Sequence, residues 1–478
     1  MAEVRDRAQK IDRVRRLLKS PNAHVRALLS VLHPTEIALV LEDTNPEIQE
    51  RILRELPKEL ISEAISEMDE DTNPGQLLTY LHPEIASGLI KELDPDDAAD
   101  LLAQIPEELQ EKILYYVPDE EESVLNRLLS YDEDSAGGLM NPDVVVVREN
   151  MTKLEALREL VQQSEDEMED FYTIYVTDEQ FHLVGYLTFR ALFVSRNHDR
   201  IGDIMEREVI SVNVSMDQEQ VAKLMQQYNL PTLPVLNKNN KLLGRITFDD
   251  VMDVIEEEST EDILKIAGVS EDENLRGGWA GSVRSRIPWL MINLCTASLA
   301  AFTLSQFETT IERLVIIAFM MPIIAGVAGN GGTQTLAVTI RRIATDGIPR
   351  RKAFRVVAKE VIVGAINGLM IGALVSLALT LLVGYVSPDA FTPQQEAMIG
   401  LVVFLAMFSN LILAGFAGSF IPIMLEGFGV DPAIASSILI TAFTDIVGYL
   451  LLFGLATRIL IPLFNDLDQA GFLMTTPF

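Results

Sequence analysis

Cysteine, histidine and basic charge are all scarce in this 478-residue chain. The single cysteine, Cys295, sits in an apolar run, so no disulfide can form within the chain. The five histidines (His24, His33, His82, His182, His198) are scattered through the N-terminal half without metal-ligand spacing. Lys and Arg number 38 against 70 Asp and Glu, for a net charge of -32. Nucleic acid is held by clustered Lys and Arg, so this balance argues against a nucleic-acid partner. There is no Gly-rich loop followed by Lys-Ser/Thr, hence no ATPase P-loop. The opening "MAEVRDRAQKIDRVRR" is charged and lacks an apolar h-region, so a secretory signal is not expected and the N-terminal half is expected in the cytosol.

The charge is unevenly placed. Residues 276–478 hold 12 Lys/Arg and 11 Asp/Glu, leaving 26 bases and 59 acids in residues 1–275. An acidic, water-soluble half therefore precedes a nearly neutral, apolar one. The acidic half suits a cation-facing surface, although much of its charge reads as the wet faces of helices. In the apolar half five segments, near 287–306, 313–340, 358–386, 396–424 and 433–463, are long enough to cross a bilayer, which takes about 20 helical residues. The stretch "RRIATDGIPRRKAFRVVAKE" (341–360) is strongly basic, whereas the loops near 306–312 and 387–395 contain no Lys or Arg. The positive-inside rule then places 341–360 and the N-terminus in the cytoplasm and the C-terminus outside.

Two apolar segments carry chemistry. "SSILITAFTDIVGYLLLFGLA" (436–456) has Asp445 near its middle, where an ionised carboxylate costs roughly 2.5–3.5 kcal/mol on insertion scales. No Lys, Arg or His lies at comparable depth to pair with it, and there is no second carboxylate or histidine for hydrolytic chemistry. A carboxylate facing a hydrated cation path accounts for it best. Ser437 and Thr441 share its helical face, and Thr444 adjoins it. A two-fold dimer with the path on its axis would bring two copies of Asp445 to one hydrated ion. Magnesium, which keeps several waters and binds through one or two carboxylates, fits that arrangement. Manganese, cobalt or a proton stay open at this point. "PIIAGVAGNGGTQTLAV" (322–338) reads either as close packing through small residues or as a broken helix lining a watery path. Asn330, Thr333 and Gln334 supply neutral oxygens there, which favours the broken helix. Asn410 reads as an interhelical hydrogen bond.

The acidic half contains two duplications. "LHPTEIALVLEDTNPEIQERILRELP" (32–57) aligns without gaps to "LDPDDAADLLAQIPEELQEKILYYVP" (93–118), with Pro34/Pro95, Ala38/Ala99 and Leu41/Leu102 matched. Stacked short helices forming a superhelical domain are expected. Residues 140–255 carry a second repeat, each unit reading β-α-β-β-α, with "LVGYLTFRAL" (183–192) matching "LLGRITFDDV" (242–251). This pair resembles tandem CBS domains, regulatory modules that bind adenine nucleotides through a Ser/Thr and an acid three residues on. Thr247 and Asp250 keep that pattern; Thr188 is followed by Ala191 and departs from it. The connector "DDVMDVIEEESTEDILKIAGVSEDEN" (249–274) has Ile255, Ile263, Leu264 and Ile266 on an otherwise strongly acidic helix.

Together these motifs resemble the MgtE family of magnesium channels, across nearly the whole chain. "YDEDSAGGLMNPDVVVV" (131–147), "GNGGTQ" (329–334), "GVDPAIAS" (429–436) and "TAFTDIVGYL" (441–450) carry the likeness. Thr333 stands where relatives often have Asn or Ser, and Ile438 replaces a proline. The resemblance implies a multidomain membrane protein. Its expected parts are an all-α superhelical N domain (1–135), an α/β tandem CBS domain (136–252), an acidic connecting plug helix with its linker (253–280), and a five-helix α transmembrane pore domain (281–478). It implies a homodimer in a bacterial inner membrane, taking Mg2+ inward down its electrochemical gradient and closed by cytosolic Mg2+. Asp445 matches the family's pore carboxylate. Glu258, Glu261 and Asp262 match the acidic end of the plug helix, and Asp431 matches its partner on the loop before the fifth span. Asp250 and Asp253 match CBS carboxylates, and Asp96 and Asp100 fall in the acidic helix of the N domain. Mg2+ is thus expected as both cargo and regulator, with ATP at the CBS pair as a further ligand, and no enzymatic activity is expected. The alternatives are a CBS-regulated transporter of Mn2+ or Co2+, and a membrane-anchored nucleotide-sensing signalling protein.

Overall fold

Proline sets the rhythm of the first hundred residues. In a computed structural model of the chain, which describes residues 11–19, 24–69, 72–164, 173–270, 273, 278–386 and 391–464, the helices Pro34–Glu42, Pro46–Glu55, Pro83–Ile90 and Pro95–Ala103 all begin on it. Proline suits the first helical turn because its missing N–H would have no partner there. The duplication seen in the sequence is a duplication of helix pairs. Pro34–Glu42 with Pro46–Glu55 answers to Pro95–Ala103 with Glu107–Leu114. The glutamine of "QERIL"/"QEKIL" does the same work in both. Gln49 Nε2 donates to Leu41 O at 2.9 Å, and Gln110 Nε2 to Leu102 O at 2.5 Å, tying the second helix of each pair to the end of the first. Ala38, Leu41, Ala99 and Leu102 are buried between them.

The chain divides into two compact units, residues 1–258 and 259–478. In the first, two three-stranded sheets repeat one topology. Strand β1 (Val146–Arg148) runs parallel to β2 (Thr173–Thr177), which pairs antiparallel with β3 (Leu183–Thr188). β4 (Val212–Asn213), β5 (Thr232–Leu236) and β6 (Leu242–Thr247) do likewise. Helices Lys153–Ser164 and Gln218–Tyr228 fill the crossovers, so each unit is the expected β-α-β-β-α. The shared glycine of "LxGxxTF" is a crossing point. A Cβ on Gly185 would meet Glu206 O at 2.7 Å, and one on Gly244 would meet Asn141 O at 2.6 Å. Tyr175 joins the two sheets by donating to Thr232 Oγ1 at 3.1 Å, and burial pushes its hydroxyl up to about 12. One apolar core runs through the N-terminal helices into the second α/β unit. The first α/β unit has its own core.

The helix closing the second α/β unit, Phe248–Ala267, is the acidic connector. Its buried apolar side chains in the first unit are Val251 and Val254, while Ile255 and Ile263 are exposed. The amphipathic face read from the sequence is thus displaced, because the first half of this helix packs as part of the α/β unit rather than as a separate element.

Among the described residues the second unit has five helices long and apolar enough to cross a membrane: Trp279–Ser305, Val315–Thr345, Arg351–Tyr385, Pro393–Gly427 and Ser437–Phe464. They are called the first to fifth spans below. The glycine-rich segment of the second span does not break it; the helix runs unbroken from Met321 to Asp346. The interruption lies upstream, where Glu308–Arg313 and Val315–Ala318 are separate short helices. The glycines serve close packing instead. A Cβ on Gly332 would lie 2.5 Å from Ile440 of the fifth span, and one on Gly418 would lie 2.5 Å from the carbonyl of Gly332. In an apolar medium a helix that keeps its own backbone hydrogen bonds is favoured over one opened at glycine, and small residues let neighbours approach. The third and fourth spans share a longer seam of the same kind. Gly364, Gly368 and Gly372, four residues apart, face Leu411, Phe408 and Phe404.

Candidate functional site

The fifth span begins just after a tight turn. Asp431 accepts the backbone N–H of Ala433 at 2.8 Å and so caps the short turn Pro432–Ile434. From Ser437 onward, polar residues recur every fourth position. Ser437 is half-buried, Thr441 exposed and Asp445 half-buried, so the three form one accessible stripe. Among the described residues no side chain hydrogen-bonds or ion-pairs with Asp445. Thr444 belongs to the packed side: it is buried and its hydroxyl donates to Ile440 O at 3.1 Å and Thr441 O at 2.9 Å. Its burial keeps it off the accessible stripe.

The second span brings its polar residues to the same level. A Cβ on Gly329 would lie 3.5 Å from Thr441 and 3.6 Å from the Thr444 hydroxyl, so the two helices touch there. Asn330 and Gln334, one turn apart, are exposed, while Thr333 is half-buried. Asn410 is fully buried and donates to Thr444 O at 3.1 Å, the interhelical bond expected of it. Gly448 makes room for its amide, since a Cβ there would sit 2.7 Å from Asn410 Nδ2.

The end of the connecting helix is fastened to this bundle within the second unit. Gly268 (φ 72°) ends the helix in a left-handed turn, where Val269 N donates to Leu264 O at 2.9 Å. Gly268 abuts Ile438 at the start of the fifth span, and Ile266 packs on a cluster with Leu336, Ile340, Ala435 and Ile440. Asp431 is 2.9 Å from Lys265 Nζ, which also bonds Glu261 one turn back. Sequence reasoning grouped Glu258, Glu261 and Asp262 with Asp431 as cation ligands and passed over Lys265. The structure places a protein cation between two of the four, Glu261 and Asp431. Its signal was present, as the one base in an otherwise acidic helix end.

In the first unit the expected acids meet in pairs. Asp96, half-buried in helix Pro95–Ala103, accepts Asn141 Nδ2 at 3.1 Å. Asn141 is aimed there because its backbone bridges to Arg245 on β6 through two 2.8 Å hydrogen bonds. Burial first, then the charges of Asp97, Asp250 and Asp94, hold the Asp96 carboxyl well above its ordinary range. Asp100 lies one turn further along the same helix, half-buried. Burial also raises Asp250, with Asp249 and Asp253 adding to it, against the opposing bonds from Thr247. Both the N–H and the hydroxyl of Thr247 donate to the Asp250 carboxylate. In the first repeat Thr188 instead caps its helix by accepting Ala191 N at 3.2 Å.

Asp253 is raised by burial and by Glu256, Asp249, Glu67 and Asp69. Glu67 and Asp69 were not singled out from sequence, because only folding brings helix end 66–69 to the connector. Glu258 accepts Gln218 Nε2 at 3.0 Å. Burial, then Glu219, Asp217 and Glu257, push its carboxyl up to about 7. Among the described residues no three His, Cys, Asp or Glu side chains converge as a closed metal site. Clustered carboxylates whose charged forms are disfavoured are sites a dication would stabilise.

Comparison with known proteins covers both halves. Residues 321–455 match the family model described as a divalent cation transporter. Residues 32–134 match the MgtE intracellular N domain, and 136–195 and 201–257 match the CBS domain. The magnesium transporter MgtE of Thermus thermophilus is 34% identical over 446 residues, covering 91% of this chain and 95% of that protein. That of Enterococcus faecalis is 34% identical over 338 residues, covering 71% of this chain and 72% of that protein. Among solved structures, the soluble part of a magnesium transporter is 29% identical with a TM-score of 0.47, covering 53% of this chain and 99% of that one. The cytosolic domain of the Mg2+ channel MgtE in complex with ATP is 35% identical with a TM-score of 0.45, covering 48% of this chain and 93% of that one. With helical N-terminal repeats, a CBS pair and five apolar helices in the expected order, the chain belongs to the MgtE family of magnesium transporters.

Proposed function

We propose that this protein passes Mg2+ into the cytosol as a homodimer, with Asp445 of each protomer facing a hydrated ion on the two-fold axis. The observation that carries the reading is the accessible Ser437–Thr441–Asp445 stripe, whose carboxylate has no protein partner among the described residues. A carboxylate at membrane depth without a counter-ion needs water or a cation beside it. Asn330 and Gln334, exposed beside the same level, add neutral oxygens to a path of this kind. The first span supports a second copy. Ala300 is its one buried residue within the protomer, so its flanks await lipid or another chain. An inside-negative potential drives a dication inward with about 4.6 kcal/mol per 100 mV, twice the single-charge value.

Closure by cytosolic Mg2+ follows from the acids. Ions bridging Asp96 with Asp250, Asp253 with its acidic neighbours, and Glu258 relieve repulsion and favour one arrangement of the soluble half. Tighter binding to the closed form than to the open form is the only way such ions can shift the population. Asp100, Glu261, Asp262 and Asp431 belong to the same set, with Lys265 already neutralising part of it. The orientation is N-terminal half inside, from the basic 341–360 loop. Adenine nucleotide at the CBS pair is proposed on Thr247 and Asp250 alone; their mutual hydrogen bonds have to open for a ribose to enter.

The test is flux through the purified dimer in liposomes. Asp445→Ala should abolish Mg2+ uptake while leaving the dimer folded; unchanged flux would remove Asp445 from the path. Running the parent with Mn2+ and Co2+ in place of Mg2+ decides which dication is the cargo.

A further inference from the structure

The stretch 341–360 is the electrostatic exception in this protein. It holds seven of the 12 bases found after residue 275, in a chain whose net charge is -32. Five of these bases are not spent on internal ion pairs among the described residues. Arg341, Arg342, Arg351, Lys352 and Arg355 are all exposed, and among the described residues none forms a salt bridge. Lys359 is 3.1 Å from the buried Glu360. The ends of the two spans are held together at this point. Ile343, Ile348 and Val356 form one apolar cluster, so Arg342 and Arg355, each next in sequence to a cluster member, flank the same knot.

What lies beside them narrows the occupant. The third span exposes Ile362, Ile366, Met370, Leu374, Leu377 and Leu381 along its length, ending at Tyr385. From Ile362 to Tyr385 that band measures about 35 Å at 1.5 Å per residue, close to the roughly 30 Å thickness of a hydrocarbon core. Arg351 to Lys359 therefore lie about 5–17 Å beyond the edge of the band, at the depth of lipid headgroups. Phe354, 81% exposed among them, is an apolar ring of the sort found at a membrane interface rather than in a site for a soluble anion.

We propose that the junction of the second and third spans binds the phosphate of an anionic phospholipid, with Arg351, Lys352 and Arg355 on one side and Arg341 and Arg342 on the other. Guanidinium groups match phosphate oxygens in paired hydrogen bonds, and unpaired bases at this depth gain by that contact. The inference rests on the reading that the apolar half spans a bilayer, but not on which ion it carries.

The experiment places the full-length protein in nanodiscs of phosphatidylcholine doped with phosphatidylglycerol and measures retained lipid by native mass spectrometry. The parent should hold phosphatidylglycerol in preference to phosphatidylcholine. The triple variant Arg351→Gln/Lys352→Gln/Arg355→Gln should lose that preference by about tenfold, while Arg458→Gln, in the fifth span, should keep it. If the triple variant fails to fold, the single variants Arg351→Gln and Arg355→Gln carry the test, each with a smaller loss. Inorganic phosphate in the buffer should not displace the lipid. Equal retention in parent and variants, or displacement by inorganic phosphate, overturns the proposal. A protein that does not enter nanodiscs refutes the membrane reading beneath it, and loss of Mg2+ flux bears on neither.

Discussion

Replacing Lys265 with Gln tests how the connecting helix is held. The ammonium group bonds Glu261 and, at 2.9 Å, Asp431, with side-chain exposures of 14% for Lys265, 31% for Glu261 and 36% for Asp431. Charge-assisted hydrogen bonds are worth about 1.5–3 kcal/mol when shielded from water, and exposed ion pairs about 0–1. With two acids still a third exposed, the net loss on removing the cation is about 1–2 kcal/mol. That converts to about a five- to thirtyfold shift away from the docked helix end. The contacts of Ile266 and Gly268 remain, so the helix loosens without unfolding. The assay is hydrogen exchange on the full-length protein over residues 259–268. Without Mg2+, exchange there should quicken by that factor in Lys265→Gln. Saturating Mg2+ should restore protection, because the Glu261 and Asp431 carboxylates are then free to hold a dication. Parent-like protection without Mg2+, or a loss that Mg2+ does not repair, would refute the view that Lys265 stands where a metal ion otherwise acts.

Three further outcomes are expected. Gly364→Ala puts a methyl 2.4 Å from the backbone oxygen of Leu411 and should destabilise the third–fourth span pair by about 1–3 kcal/mol. Gly326→Ala, with nothing within 4 Å, should be neutral or slightly stabilising in the same thermal melt in detergent. Because the Glu258 carboxyl is raised to about 7, it is protonated below that pH and ionised above it. Mg2+ needs the ionised form, so affinity at this site should strengthen by about tenfold between pH 6 and pH 8, with proton release on binding. Calorimetry of the full-length protein in buffers of different ionisation enthalpy reads both, and a pH-independent affinity would show that Glu258 is not a ligand.

Much of this architecture is written in local patterns. Proline-initiated helices, a strand rhythm with a shared glycine, and apolar runs long enough for a bilayer each report on a few neighbouring residues. For that reason the helical repeats, the paired β-α-β-β-α units and the five spans could be read directly. The isolated Asp445 could be read too, since its cost depends only on the apolar residues around it in sequence. The glycine-rich second span was read as broken, and it is continuous. Glycine permits both outcomes, and the choice fell to Ile440 and Gly418, on helices about a hundred residues away in the chain. The connector's apolar face was only partly legible for a similar reason: Ile266 packs as that face implied, but Ile255 and Ile263 are exposed while Val251 and Val254 are drawn inward by the α/β unit.

By itself the sequence determined which segments are helical, which are apolar, and where charge is concentrated, because these follow from side-chain chemistry at fixed spacing. Only the tertiary structure decided which charges meet. Lys265 reaches Asp431 across 166 positions, and Asp96 comes near Asp250 through the turn that carries Asn141. Coulomb interactions fall with distance in space, not along the chain, so no local pattern could have set those partners.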